Sequence, residues 1–539
     1  MGWLRFVFTV ALCSNASVKS FDAGTSEPIF ETEYGIMVGK KVGDNDVFLG
    51  VPFAKPPVGE LRFKDPVKLE KSTEVQNTIT DRPICMQSIG GAKGDEDCLY
   101  LNIYKPTITH EGDSLPVLVY FPGGNFMNGG CSSNGLYNAT ILAPDIKAIV
   151  VCANYRLGAF GFLYYNETIG NFGIKDQKAA LEFISENIRN LGGDPNKITI
   201  SGQSAGAQSV AIHLTSEQDN DLFQQAILMS GPFSVSLKSE EEALKLSEMF
   251  MEELKCKELD LPCLLHSSAI DILKASENCS PKHYNVSGNT LPLIQKALDD
   301  MHQFFNDKVT HLEQPWGPTV TVQPITKFKS VEKPVMIGSL SGEGSTFAPP
   351  PLCVDVLNLL LPEYGTKVID EYRELYNENE IFVHFLTDYV FTCPARSMAK
   401  DMNSPHAYHY YFDHVLSFAE GLFPPQCKEY ACHGELVPFF FQSASAVGET
   451  FTTDEETLVD IFSEYLSNFI HYGDPNKFSN NVKPELANLN LVPWKPINPR
   501  DLQTMVFSTT ETVECKIGIR QKQCDLMDDI GYYNVPYMN

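Results

Sequence analysis

Lys197-Ile198-Thr199-Ile200-Ser201-Gly202-Gln203-Ser204-Ala205-Gly206 is the stretch on which the fold turns. Its last five residues have the form G-x-S-x-G, the pattern of a nucleophile elbow. The run Lys197 to Ser201 reads as a short buried strand, and Ala205 to Leu214 (AGAQSVAIHL) reads as a helix with Ala211 and Leu214 near one face. Strand, sharp turn and helix form the context that separates a working motif from a chance match. The flanking glycines let two backbone segments crowd the turn, so the hydroxyl of Ser204 stands at the start of a helix.

Outward from the elbow, strand-like and helix-like runs alternate. Pro116 to Phe121 (PVLVYF) and Ala148 to Ala153 (AIVVCA) are apolar throughout, as expected of central strands covered on both faces. Phe223 to Ser230, Pro334 to Ser339 and Ala407 to Phe412 are further strands. Asp176 to Leu191 is a helix whose Ala180, Leu181, Ile184, Ile188 and Leu191 recur at helical spacing before Gly192-Gly193 stops it. Glu455 to Tyr472 is another long helix. Such alternation predicts an α/β fold: a large, mostly parallel sheet with helices on both faces and its site at the carboxyl ends of the strands. The charged helical region from Lys238 to Phe328 is expected to be an insertion that shapes a substrate gorge. No internal repeat or low-complexity linker interrupts the 539 residues, so residues 17–539 are expected to form one domain.

The first 16 residues read as a secretory signal: Arg5 supplies the positive end, Phe6 to Cys13 (FVFTVALC) the apolar core, and Ser14-Asn15-Ala16 a small-residue cleavage site. No later run is long and apolar enough to span a bilayer. The expected location is therefore outside the cell or in the lumen of secretory vesicles. With Cys13 removed from the 14 cysteines, an odd number remains, so at least one is expected to be unpaired or bonded to another molecule. Local pairs are expected at Cys85 with Cys98, Cys256 with Cys263, Cys427 with Cys432, and Cys515 with Cys524. Glycosylation sequons stand at Asn138, Asn166, Asn278 and Asn285. A formal charge of -27, from 41 basic and 68 acidic residues, disfavours nucleic acid as a partner. No C-x-x-C or H-E-x-x-H occurs, so no metal and no cofactor is expected.

A serine hydroxyl needs a histidine to take its proton and a carboxylate to orient that histidine. Glu343 lies just past the strand Pro334 to Ser339, and His433 lies past the strand Ala407 to Phe412. Spacing alone does not single these out among 12 histidines. Longer motifs do. FLGVPFAKPPVGELRF (Phe48 to Phe63), EDCLYLNIY (Glu96 to Tyr104), NYRLGAFGFL (Asn154 to Leu163) and GGDPNKITISGQSAG (Gly192 to Gly206) follow one another in order. FQQAILMSG (Phe223 to Gly231) and GDPN (Gly473 to Asn476) come after them. Over nearly its whole length the chain resembles the type-B carboxylesterase and cholinesterase family. The resemblance implies an α/β-hydrolase fold and hydrolysis of a small-molecule ester. It also implies Ser204 as nucleophile, Glu343 as acid and His433 as base. The oxyanion donors it implies are the backbone N–H groups of Gly124, Asn125 and Ala205.

Three departures from the family pattern stand out. Asn125 replaces the third glycine of the oxyanion loop, a position where asparagine tolerates positive φ better than most residues. Gln203 replaces the usual glutamate beside the serine, which weakens attraction for a cationic substrate. The segment from Cys85 to Cys98 carries no Trp, the residue whose face holds a quaternary ammonium in cholinesterases; the only tryptophans are Trp3, Trp316 and Trp494. These features point to neutral esters. Phe233 and Phe347 are candidates to line the acyl side or to be plain core. In its CHGEL and PGGNF details the chain also resembles the slime-mould crystal proteins and their secreted esterase relatives. The alternative is accordingly a weak or inactive esterase-like adhesion or storage protein.

Overall fold

A computed structural model describes residues 27–532, apart from segments 89–90, 108–113, 166–169, 258–259, 280–315, 348–353, 355–356, 359–360, 403, 478–490 and 509–512. The signal reading for residues 1–16 and the sequons at Asn166 and Asn285 lie outside the described residues, as does part of the expected gorge insertion.

The strands in chain order are β1 (Ile29–Thr32), β2 (Tyr34–Val38), β3 (Lys40–Val42), β4 (Asn45–Pro52), β5 (Ser72–Asn77), β6 (Tyr100–Pro106) and β7 (Leu115–Phe121). They continue as β8 (Ile149–Ala153), β9 (Gly193–Gln203), β10 (Gln225–Met229), β11 (Val335–Leu340), β12 (Ala407–Phe412), β13 (Gln503–Phe507) and β14 (Glu514–Ile517). Among the described residues eleven strands form one sheet in the order β14-β13-β12-β11-β10-β9-β7-β8-β6-β4-β3, and β1-β2-β5 form a small second sheet. The run from β8 through β7, β9, β10, β11 and β12 to β13 pairs parallel throughout. Antiparallel partners stand at both flanks: β14 on β13, and β6, β4 and β3 beyond β8.

Every residue of β7, β8, β10 and β11 is buried. A parallel sheet covered on both faces needs such buried, mostly apolar runs, because neither pleat faces water. The chain leaves β7 to one side toward β8 and returns on its other side as β9. The carboxyl ends of β7 and β9 therefore lie side by side where strand order reverses, the place where open α/β sheets bind ligands.

Helices cover both faces. The expected helix Asp176 to Leu191 begins earlier, at Phe172–Asn187, and tightens into a 3-10 turn over Ile188–Leu191. Its Asp176 accepts from Arg156 through Nε at 2.8 Å, Nη2 at 2.7 Å and the backbone N–H at 3.0 Å. The side chains are only 3% and 0% exposed, so this buried pair is satisfied on both sides and ties the loop after β8 to the helix. The long helix at the carboxyl end is Thr453–Tyr472 and starts with a capping box between Thr452 and Glu455.

Disulfides join Cys85 to Cys98, Cys256 to Cys263 and Cys427 to Cys432. The expected pair of Cys515 with Cys524 does not form. Cys515 sits on β14, opposite Met505 of β13 at the sheet's edge. Cys524 is buried on the helix Gln521–Ile530, which packs on the helix Cys393–Asp401 and bonds to Cys393 across 131 residues. Closeness in sequence misled here because the turn at Gly518 moves the chain from the sheet to a different layer. A second pair, Cys131 with Cys152, joins a loop to β8 and had no local signal. Among the described residues Cys279 and Cys515 are free.

Two outcomes are expected. Cys393→Ser opens a 131-residue loop, and urea unfolding should show a loss of about 2–5 kcal/mol. Burial alone would raise the pKa of Glu455. Hydrogen bonds from His414, from the backbone of Thr452 and Ser417 and from the Ser417 hydroxyl outweigh it and hold the carboxyl at about 2. A folded value below the ordinary ~4.3 of an unfolded glutamate stabilises the fold above that pH and is lost as pH falls toward 2. The gap in melting temperature between wild type and Glu455→Gln should be full at pH 7 and shrink steadily below pH about 4.

Candidate active site

β9 ends at Gln203, and the helix Ala205–Leu214 begins one residue on. Ser204, alone between them, takes φ 59° and ψ -125°. For a residue with a side chain this is a strained conformation, and it persists only where the surroundings over-determine it. They do: Ser204 N–H donates to Met229 O of β10 at 2.9 Å, and Ser204 O accepts from the N–H groups of Ala207 and Gln208. A Cβ at Gly202 would stand 2.4 Å from the backbone of Gly206, and one at Gly206 would stand 2.1 Å from Phe121 O. Both glycines are therefore required by space.

The loop after β7 packs directly on this turn. A Cβ at Gly123 would lie 2.5 Å from Gln203 O and 3.1 Å from Ser204 Cβ. Gly124 has φ 119°, and Asn125 and Phe126 follow at 55° and 57°. The asparagine thus occupies the left-handed position that its residue type tolerates. Tyr155 donates to Pro122 O at 2.7 Å, and the Gln87 carboxamide bonds both the O and the N–H of Gly129. Gln87 belongs to the loop closed by Cys85 and Cys98, so that disulfide braces the glycine loop.

Glu343 and His433, 90 residues apart, meet at 2.6 Å between Oε2 and Nδ1. Glu343 opens a 3-10 turn just after β11, is fully buried, and accepts from Leu340 N–H at 2.8 Å through its other oxygen. His433 follows Cys432, whose disulfide to Cys427 holds the loop. The structure does not place Ser204 Oγ in a hydrogen bond with the imidazole. The partner of His433 Nε2 is the Gln203 carboxamide nitrogen, at 3.2 Å. Gln203 was read from sequence only for its missing charge, and this contact gave no sequence signal.

Aromatic rings close the sides of the imidazole. Phe347 lies 5.1 Å and Phe391 4.9 Å from the His433 ring, and the two phenyl rings stack at 5.8 Å. Phe391 comes from a π-helical turn, Thr387–Thr392, and no motif announced it. Phe233 is buried in the main core, its ring folded over Gly231. Glu435 was also missed. It accepts from the backbone N–H groups of Cys432 and Leu416, while burial, helped by the charge of Glu343, pushes its carboxyl up to about 8. Cys427, Cys432 and Glu435 cluster like metal ligands, but the two sulfurs are bonded to each other and are not thiolates.

The sequence and the fold both compare closely with proteins of known class. Residues 26–527 match the model of the carboxylesterase family. The cAMP-regulated D2 protein of Dictyostelium discoideum is 31% identical over 98% of this chain and 98% of its own length. The crystal protein of the same organism is 31% identical over 92% of this chain and 90% of its own. The acylcarnitine hydrolase of Mus musculus is 30% identical over 88% of both chains. Among solved structures, a thermophilic PNB esterase superposes with a TM-score of 0.75 at 26% identity, covering 93% of this chain and 100% of that one. With the reversal of strand order, the strained serine turn and the Glu343–His433 pair, these likenesses place the chain in the carboxylesterase family, as a carboxylic ester hydrolase of the α/β-hydrolase fold.

Proposed function

We propose that this chain is an exported serine esterase that cleaves neutral carboxylic esters through an acyl-enzyme. The observation that carries this reading is the 2.6 Å bond between Glu343 and His433 Nδ1, which leaves Nε2 facing the elbow of Ser204. Glu343, an acceptor when ionised, holds the ring with its proton on Nδ1, so Nε2 keeps the lone pair that a general base needs.

In this mechanism His433 Nε2 takes the proton of Ser204 Oγ as the oxygen attacks the ester carbonyl. The carbonyl oxygen becomes an oxyanion held by the backbone N–H groups of Gly124, Asn125 and Ala205. Collapse of that intermediate breaks the bond to the alcohol oxygen, and His433 returns the proton to the departing alcohol. Water then adds to the acyl-enzyme by the same route and releases the acid. Glu343 stabilises the imidazolium in both halves. Phe347 and Phe391 keep water from the ring's faces, which strengthens these charge interactions.

Neutral Gln203 beside the nucleophile, and a Cys85–Cys98 loop without tryptophan, support uncharged esters over cationic ones. Export is supported by the signal-like residues 1–16 and the disulfides; among the described residues no helix is long and apolar enough to cross a membrane. The sequons at Asn138, Asn166, Asn278 and Asn285 would carry glycans on this reading. Residues 17–539 would then be a single domain. The name of the crystal protein and the asparagine in the glycine loop keep a storage role with weak catalysis as the competing reading.

Hydrolysis of 4-nitrophenyl acetate and labelling by a fluorophosphonate probe decide between them. The wild-type protein should turn over the ester and accept the label, and Ser204→Ala should lose the label and about a thousandfold or more of the rate. Equal rates in the two proteins would sink the mechanism, and an unlabelled wild type would favour storage.

A further inference from the structure

Gln203 does more than remove a charge. Its carboxamide nitrogen stands 3.2 Å from His433 Nε2, the atom that on the reading above must take the serine proton. The ring's other nitrogen is committed, because Nδ1–H donates to Glu343 at 2.6 Å. A neutral imidazole with its proton on Nδ1 offers only a lone pair at Nε2, and the carboxamide N–H is a donor. The two groups match only while the ring is neutral. Protonation of Nε2 would set one N–H against another and forfeit the bond. The carboxamide is also housed for this contact: its Oε1 lies 3.0 Å from where a Cβ at Gly123 would be, so the bare glycine makes the room.

We propose that Gln203 is a positioning residue that caps the lone pair of His433 Nε2 in the resting site, a contact that holds only while Nε2 carries no proton. The inference rests on the assignment of His433 as the base. When an ester binds, the Ser204 hydroxyl replaces the carboxamide N–H at Nε2, and the cap moves one bond's reach aside. A carboxylate in its place would instead accept from a protonated Nε2, and a thioether would offer no donor at all. Charged or titratable groups that the structure relates to this pair come from three elements. Glu343 follows β11; Glu435 lies on the loop of His433 itself; Tyr410 of β12 is within electrostatic reach of Glu343. None of them changes in the comparison below. Phe347 and Phe391 cover the ring and carry no charge.

The test is the acid limb of kcat/KM against pH for 4-nitrophenyl acetate in wild type, Gln203→Met and Gln203→Glu. Methionine keeps the length and removes the donor; glutamate replaces the donor with an anion. The limb should lie lowest in wild type, higher in Gln203→Met, and highest in Gln203→Glu, about one pH unit or more above wild type. On the acid side, each unit means about tenfold less of the plateau rate. Three limbs that coincide overturn the proposal. So does a methionine limb on or below that of wild type, since an added charge alone would move any nearby base. The ¹⁵N shifts of the His433 ring, assigned by comparison with His433→Gln, follow the same ordering without turnover. A protein that keeps this ordering but takes no fluorophosphonate condemns the esterase mechanism alone. One that takes the label but loses the ordering condemns the role of Gln203 alone.

Discussion

The backbone of Ser204, at φ 59° and ψ -125° between a strand and a helix, is the constraint on which the rest depends. An L-residue does not settle there unaided. The conformation exists because β9 and the helix Ala205–Leu214 are each anchored independently, β9 between β7 and β10 in the middle of the sheet and the helix against both strands. Gly202 and Gly206 then let the two arms of the turn meet, with Phe121 O filling the space that a methyl at Gly206 would need. Strain at one residue is thus held by the packing of the whole central sheet.

From that turn the remaining parts fall into place by topology. β7 and β9 are neighbours, so the glycine loop after β7 lies against the serine turn. β11 and β12 are neighbours too, and their following loops deliver Glu343 and His433 to the same end of the sheet. Three disulfides brace these loops: Cys85–Cys98 and Cys131–Cys152 beside the glycine loop, and Cys427–Cys432 just before His433. Loops carry weak internal order, and covalent ties near each of these segments keep the polar groups in register where the sheet itself cannot reach.

The chemistry around the imidazole is largely neutral. A carboxamide from Gln203 and two phenyl rings surround it, with the buried Glu343 carboxylate as its hydrogen-bonded partner. Family membership defines the reaction class, and these particular neighbours are what this chain adds around the ring. Among them Gln203 is uncharged and places its carboxamide nitrogen 3.2 Å from His433 Nε2.

Local patterns were enough to reveal the elements and the strained serine. Unbroken apolar runs marked β7 and β8, mostly apolar runs marked β10, β11 and β12, and the glycines around Ser204 announced the turn, because burial on both faces and tight backbone approach leave direct traces in residue type. Glu343 and His433 were legible only through the longer motifs, since a lone acid and one of 12 histidines carry no such trace. The edge strands β13 and β14, the links from Cys393 to Cys524 and from Cys131 to Cys152, Phe391 on its π-turn and the contact of Gln203 with His433 came from tertiary structure alone. Each joins residues from separate elements, and a pairing across layers depends on how the sheet and helices pack in space, which no stretch of residues encodes by itself.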